Sequence, residues 1–138
     1  MNEIFVFDSF AILTLLGREP GSQEVAELLR QAQEEKIRIL MTWVNVGEVA
    51  YIVERRWGAE RLYAALAMME ATALEIVSVE RELALMAAHI KADHAIAYAD
   101  AYAAALAQDS AATLVTGDPE FKLLEEALDI HWLPRREL

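Results

Sequence analysis

Short apolar runs alternate along this chain with longer stretches whose apolar residues recur at helical spacing. Ile4-Phe5-Val6-Phe7 is wholly apolar and ends at Asp8, the pattern of a central strand buried on both faces. Residues 9–16 read as a short helix closed by Gly17. Pro20-Gly21-Ser22 opens a second helix, on which Val25, Leu28 and Leu29 share a face and residues 31–36 form the solvated end. Residues 37–41 predict the second strand, with Thr42 as N-cap of a helix reaching to about Trp57-Gly58. Helix is expected again over residues 59–69, strand over 74–79, and helix from Glu80 through Leu83, Met86, Ala87 and Ile90. The alanine-rich residues 97–108 predict a further helix. Residues 113–116 predict a fourth strand, 119–128 a helix, and 130–133 a last strand before a charged tail.

Strands alternating with helices imply an α/β architecture: a mostly parallel sheet of about five strands, covered by helices on both faces in three layers. With no repeat, linker or low-complexity tract, residues 1–138 are expected to form a single domain. In such folds ligands sit beyond the carboxyl ends of the strands, so the site is expected there.

Charge changes this picture. Twelve basic against twenty-three acidic residues give a net charge of −11, which repels a polyanion at long range and argues against a generic nucleic-acid coat. It leaves open an enzyme that meets nucleic acid through bound divalent cations, because those ions reverse the local sign. The absence of cysteine excludes disulfides, zinc-thiolate sites and thiol nucleophiles, and fits a reducing cytoplasm. No apolar run approaches a membrane span, and Met1-Asn2-Glu3 followed at once by a strand pattern lacks the form of a secretory signal, so a cytoplasmic protein without membrane contact is expected.

Most of the acids, such as Glu24, Glu27, Glu34 and Glu35, lie on solvated helix faces. Four stand apart. Asp8 ends a strand, where it either caps the next helix or serves a site. Asp118, in Thr116-Gly117-Asp118-Pro119, stands in the same situation, and capping alone is the simpler reading. Glu48 shares a helical face with Val44, Tyr51 and Ile52, a face expected to be buried, where a carboxylate needs a partner. Asp100 is flanked mostly by alanines that are expected to leave it approachable, unless it faces water in mid-helix. In the architecture above all four belong to one edge of the sheet. Carboxylates brought together raise one another's pKa, and a hard divalent cation with oxygen ligands compensates them. Water bound to such an ion becomes a usable nucleophile near neutral pH, and a second ion stabilises the leaving oxygen of a phosphodiester.

Phe7-Asp8-Ser9, then Gly47-Glu48-Val49-Ala50-Tyr51, then Ile90-Lys91-Ala92-Asp93-His94 leading to Tyr98-Ala99-Asp100-Ala101, then Val115-Thr116-Gly117-Asp118-Pro119-Glu120-Phe121, resemble in order and separation the PIN domain, and within it the VapC-like toxins of type II toxin–antitoxin systems. The likeness spans nearly the whole chain. It implies a PIN-like fold in which Asp8, Glu48, Asp100 and Asp118 bind magnesium or manganese. Thr116 and Ser9 would orient those carboxylates or the attacking water. The implied activity is endonucleolytic cleavage of RNA by water. The implied partners are an RNA substrate, a second copy of the chain in a homodimer, and a cognate antitoxin whose tail crosses the acidic site. A PIN-fold RNA-processing nuclease outside any toxin pair would carry the same residues; a non-catalytic PIN-fold binding module is the other alternative, whose signature would be loss of an acid, and none is lost here. Phe10 and Pro119 depart from the resemblance, being bulkier or stiffer than the residues it leads one to expect.

His89, His94 and His131 lack metal-ligand spacing and read as structural, with His94 the one placed to touch a phosphate. Arg55 and Arg56 either meet the RNA backbone or simply favour a helix C-terminus. Trp43, Trp57, Trp132, Met68, Met69 and Met86 read as core or interface. Two phosphoryl-transfer classes are disfavoured. A haloacid-dehalogenase-type phosphatase places a second Asp where this chain has Phe10, and a receiver domain needs a phosphorylated Asp after its third strand, where Ser78-Val79-Glu80 stands.

Overall fold

A computed structural model describes residues 2–134. Five strands form one sheet in the order β3-β2-β1-β4-β5, every neighbouring pair parallel. They are β1 (Glu3–Phe7), β2 (Ile37–Thr42), β3 (Leu74–Val77), β4 (Thr113–Thr116) and β5 (Ile130–Trp132). The apolar run of β1 puts it at the centre, where both faces are covered.

The period-two alternation of the strands assigns each residue to one of two cores. Phe5, Phe7, Ile39, Met41 and Val115 face a core closed by α1 (Ser9–Leu16), α2 (Ser22–Gln33), α3 (Trp43–Trp57) and α4 (Ala59–Ala71). Val6, Leu40 and Leu114 face the other core, closed by α5 (Arg81–Asp93), α6 (Tyr98–Asp109) and a 3₁₀ helix (Pro119–Leu124). The result is the expected three-layer α/β/α arrangement, with a sheet that is wholly rather than mostly parallel.

Several expectations are corrected. The third strand ends at Val77, and Ser78 and Val79 lead into α5. The segment after Pro119 is a 3₁₀ helix that stops at Leu124 rather than a helix through residue 128. Pro119 fits its first turn, where a missing N–H costs nothing. The buried stripe of α3 is Asn45, Val46, Val49 and Val53, so the face bearing Glu48 is not buried. Tyr51 on that face is half-exposed, and Glu48 lies at the rim of the core. Of the residues expected in core or interface, Met69 is fully buried and Met68 and Met86 pack against the two cores, while Trp43, Trp57 and Trp132 are partly exposed and lie outside both, which leaves the interface alternative for them. The charged tail at residues 135–138 lies outside the described residues. No helix among those described is long and apolar enough to cross a membrane.

Candidate active site

The sheet order reverses direction between β1 and β4, and a parallel α/β sheet opens its crevice at that point. Phe7 pairs with Val115, so Asp8 and Thr116 leave the two strands side by side. Asp8 is buried and is held at both oxygens. Oδ1 accepts from the Ala11 amide at 3.1 Å, capping α1, and Oδ2 accepts from Thr116 Oγ1 at 2.5 Å. Asp8 thus caps α1 at the carboxyl end of β1, the edge where a site is expected.

Thr116 links two acids, because its Oγ1 also accepts from the Asp118 amide at 3.0 Å. Asp118 in turn caps the 3₁₀ helix, accepting from the Glu120 amide at 2.9 Å. Gly117 between them has no room for a side chain unless the Phe10 ring moves, because a Cβ there would collide with that ring. The bulk of Phe10 is thus matched by the glycine against which it packs. Glu48 reaches the same place from α3, where its Oε1 accepts from Ser9 Oγ.

Asp100 projects from the first turn of α6. Contrary to the expectation that surrounding alanines leave it open, it is only 4% exposed. Small side chains let α6 press against its neighbours, so the alanines at 101 and 103–105 are buried completely.

Electrostatics tie the four acids together. Burial, the charges of Asp118 and Asp8, a side-chain hydrogen bond with Asp118 and the charge of Glu48 push the Asp100 carboxyl up to about 9. Burial pushes Asp8 up to about 7 against the hydrogen bonds from Thr116 and Ala11, and the charges of Asp118 and Glu48 add to the rise. None of the ion pairs among the described residues brings a Lys or Arg to these carboxylates.

Two further polar residues belong to this neighbourhood and were not singled out from the sequence. Glu120 offers a carboxylate oxygen within 4.8 Å of those of Asp100 and Asp118. Asn45, fully buried on α3, donates to the Ala99 carbonyl at 3.0 Å. A polar residue in the stripe Asn45, Val49, Val53 was the available signal for Asn45. Glu120 resembled the many acids of solvated turns.

The histidines have partners other than the acids of this site. His94 Nδ1 bonds the Ile90 carbonyl at 3.0 Å, His131 faces Glu24 at 3.2 Å, and His89 stands 3.7 Å from Asp93. Arg55 is exposed, its guanidinium 5.3 Å from the Tyr51 ring centroid.

Fold and site define a class: an all-parallel α/β domain with carboxylates gathered at its switch point. The PIN domain family model matches residues 5–127, and the chain belongs to that family. No curated protein matches the chain. Among solved structures, the fold is similar to a chain of VapBC2 from Rickettsia felis, crystallised bound to a promoter DNA fragment (TM-score 0.73, 18% identity, covering 95% of this chain and 99% of that one). It is similar also to a chain of DNA-bound VapBC from Salmonella typhimurium (TM-score 0.72, 20% identity, 95% and 98% covered). A third is Mycobacterium tuberculosis VapC20, described as a sarcin-ricin loop cleaving toxin (TM-score 0.69, 19% identity, 88% and 94% covered).

Proposed function

We propose that this chain is a magnesium- or manganese-dependent endoribonuclease, acting as one domain over residues 1–138 and serving as the toxin of a type II toxin–antitoxin pair. The observation that carries the reading is the convergence of Asp8, Glu48, Asp100 and Asp118 from different elements of the fold: Thr116 joins Asp8 to Asp118, Ser9 beside Asp8 holds Glu48, and the carboxylates of Asp100 and Asp118 lie within 4.8 Å of each other. Such a group of carboxylates weakens the fold unless a cation compensates it. An all-oxygen, anionic donor set suits a hard divalent ion, and both magnesium and manganese meet that description.

Asp8, Glu48, Asp100 and Asp118 would hold such an ion, which would supply Lewis-acid activation of water and of a phosphodiester near neutral pH. The protein's own part is orientation. With both oxygens of Asp8 engaged by Ala11 and Thr116, its carboxylate is fixed in plane and direction. Ser9 does the same for one oxygen of Glu48. Buried Asp100 sits where water is scarce and electrostatic interactions are strong.

The toxin reading is supported by the fold shared with VapC20, itself described as a toxin, and with chains of toxin–antitoxin systems from Klebsiella pneumoniae and Mycobacterium tuberculosis. A cleft lined by Leu16, Val53, Trp57 and Ala65, together with half-exposed Tyr51 and exposed Tyr63, leaves apolar surface for protein partners. A cognate antitoxin and a second copy of the chain are the proposed partners, in the cytoplasm.

Purified protein incubated with a mixed RNA pool and magnesium or manganese is expected to cut at discrete sites. EDTA abolishes the cutting, and Asp8→Asn lowers it by at least about a hundredfold. Intact RNA with the wild-type protein in either metal would contradict the nuclease and leave a PIN-fold binding module.

A further inference from the structure

The hydrogen bond between Asp100 and Asp118 joins only two of the four acids. The links around them close into a circuit of hydrogen bonds. Thr116 donates to Asp8; Ser9, the next residue, donates to Glu48 on α3. Asn45, one turn earlier on α3, donates Nδ2 to the carbonyl of Ala99, the residue before Asp100. On that same turn the Ala97 amide donates to Glu120 Oε1 at 2.9 Å, and the Glu120 amide donates to Asp118 at 2.9 Å. The Asp118 amide donates to Thr116 and closes the ring. Ser9 and Thr116 already have roles in the proposed site. Asn45 and Glu120 do not, and both grip the first turn of α6.

That turn needs an outside grip. Ala97, the N-cap of α6, has no side chain to satisfy the first amides, and no side-chain capping bond is made there. Asp100, three residues on, is buried with its carboxylate within 4.8 Å of that of Asp118. Glu120 supplies the missing acceptor from 23 residues away, and the positive end of the α6 dipole favours its carboxylate. Its backbone is fixed at the same time to Asp118, so one residue sets the spacing between the two acids.

We propose that Glu120 is a positioning residue that holds the Asp100 turn in register with Asp118, working opposite Asn45, and that its side chain acts through the Ala97 amide rather than as a metal ligand. This rests on the metal-dependent reading of the site above. The rival role is concrete, since the Glu120 carboxylate lies within 4.8 Å of both neighbours.

Glutamine keeps the acceptor and removes the charge, whereas alanine removes both. The test titrates Mn²⁺ into the purified full chain and its Glu120→Gln and Glu120→Ala variants, and measures amide exchange at Ala97 and RNA cleavage on the same samples. Glu120 is exposed, so both variants are expected to fold. Glu120→Ala weakens Mn²⁺ binding about tenfold or more, speeds exchange at Ala97 and lowers kcat more than it raises KM; Glu120→Gln restores all three to within about threefold of wild type. Glu120→Gln as weak as Glu120→Ala makes the charge itself the binding element and overturns the proposal. Wild-type binding and exchange in Glu120→Ala overturn it equally. A wild-type chain that binds Mn²⁺ but leaves RNA intact sinks the nuclease and not the clamp, because the Mn²⁺ and exchange readings use no RNA. A wild-type chain that binds no Mn²⁺ overturns both, since the clamp is proposed for a metal site.

Discussion

Single residues in this site do two jobs each. Asp8 caps α1 and stands at the switch point; Asp118 caps the 3₁₀ helix and raises the pKa of both Asp8 and Asp100. The cost is electrostatic and depends on pH with a definite sign. Folding raises Asp8 from 3.8 to about 7 and Asp100 from 3.8 to about 9, so the folded chain keeps protons that the unfolded chain releases. Their contribution is fully present below about pH 4 and is lost as pH rises through about 7 and then about 9. Denaturant unfolding of the metal-free protein is therefore expected to show stability falling by a few kcal/mol between pH 6 and pH 9. Asp100→Asn should flatten the decline, and added Mn²⁺ should oppose it. A stability that is level or rises over this interval in the metal-free protein would refute the shifts. Asp8 and Asp118 stood out at strand ends, whereas Glu48 and Asp100 were singled out on expectations of burial and openness that the structure reverses; the resemblance named the same four. Glu120 was not legible, because an exposed acid in the first turn after Pro119 reads as one more solvated carboxylate.

At the scale of elements, α6 explains how a polar residue comes to be buried beside the sheet. Its alanines read in the sequence as bare surface around Asp100, yet they are the reason the helix packs so closely. Enlarging one forces the helix outward. Ala104→Leu, at a position with no exposure, is expected to cost about 1–3 kcal/mol in denaturant unfolding and to weaken Mn²⁺ binding by moving the Asp100 turn. Unaltered stability would mean that α6 has room to spare. The strands and most helices followed directly from periodicity, since all-apolar runs and four-residue stripes are strong local signals. Two features escaped it. Which face of α3 is buried depended on choosing between the stripe of Glu48 and that of Asn45, and only packing on the sheet decides for Asn45, Val49 and Val53. Residues 119–128 are apolar enough for a helix, but Asp118, Pro119 and the Glu120 amide tighten the start into a 3₁₀ turn.

Across the whole molecule, a net charge of −11 surrounds a site proposed to act on a polyanion. The conflict is resolved if divalent ions at the switch point reverse the local potential while the remaining acidic surface repels RNA held elsewhere and attracts a basic partner segment. Cleavage would then require the carboxylate cluster and its metal, with no contribution from a basic groove. The most direct measurement is to induce the wild-type chain and Asp8→Asn separately in bacteria, map new RNA 5′ ends and follow growth. New ends at a few discrete positions with arrested growth, both missing in Asp8→Asn, are the predicted result. Two soluble proteins, neither of which produces new ends, would contradict the toxin reading; new ends that persist in Asp8→Asn would contradict the placement of the site.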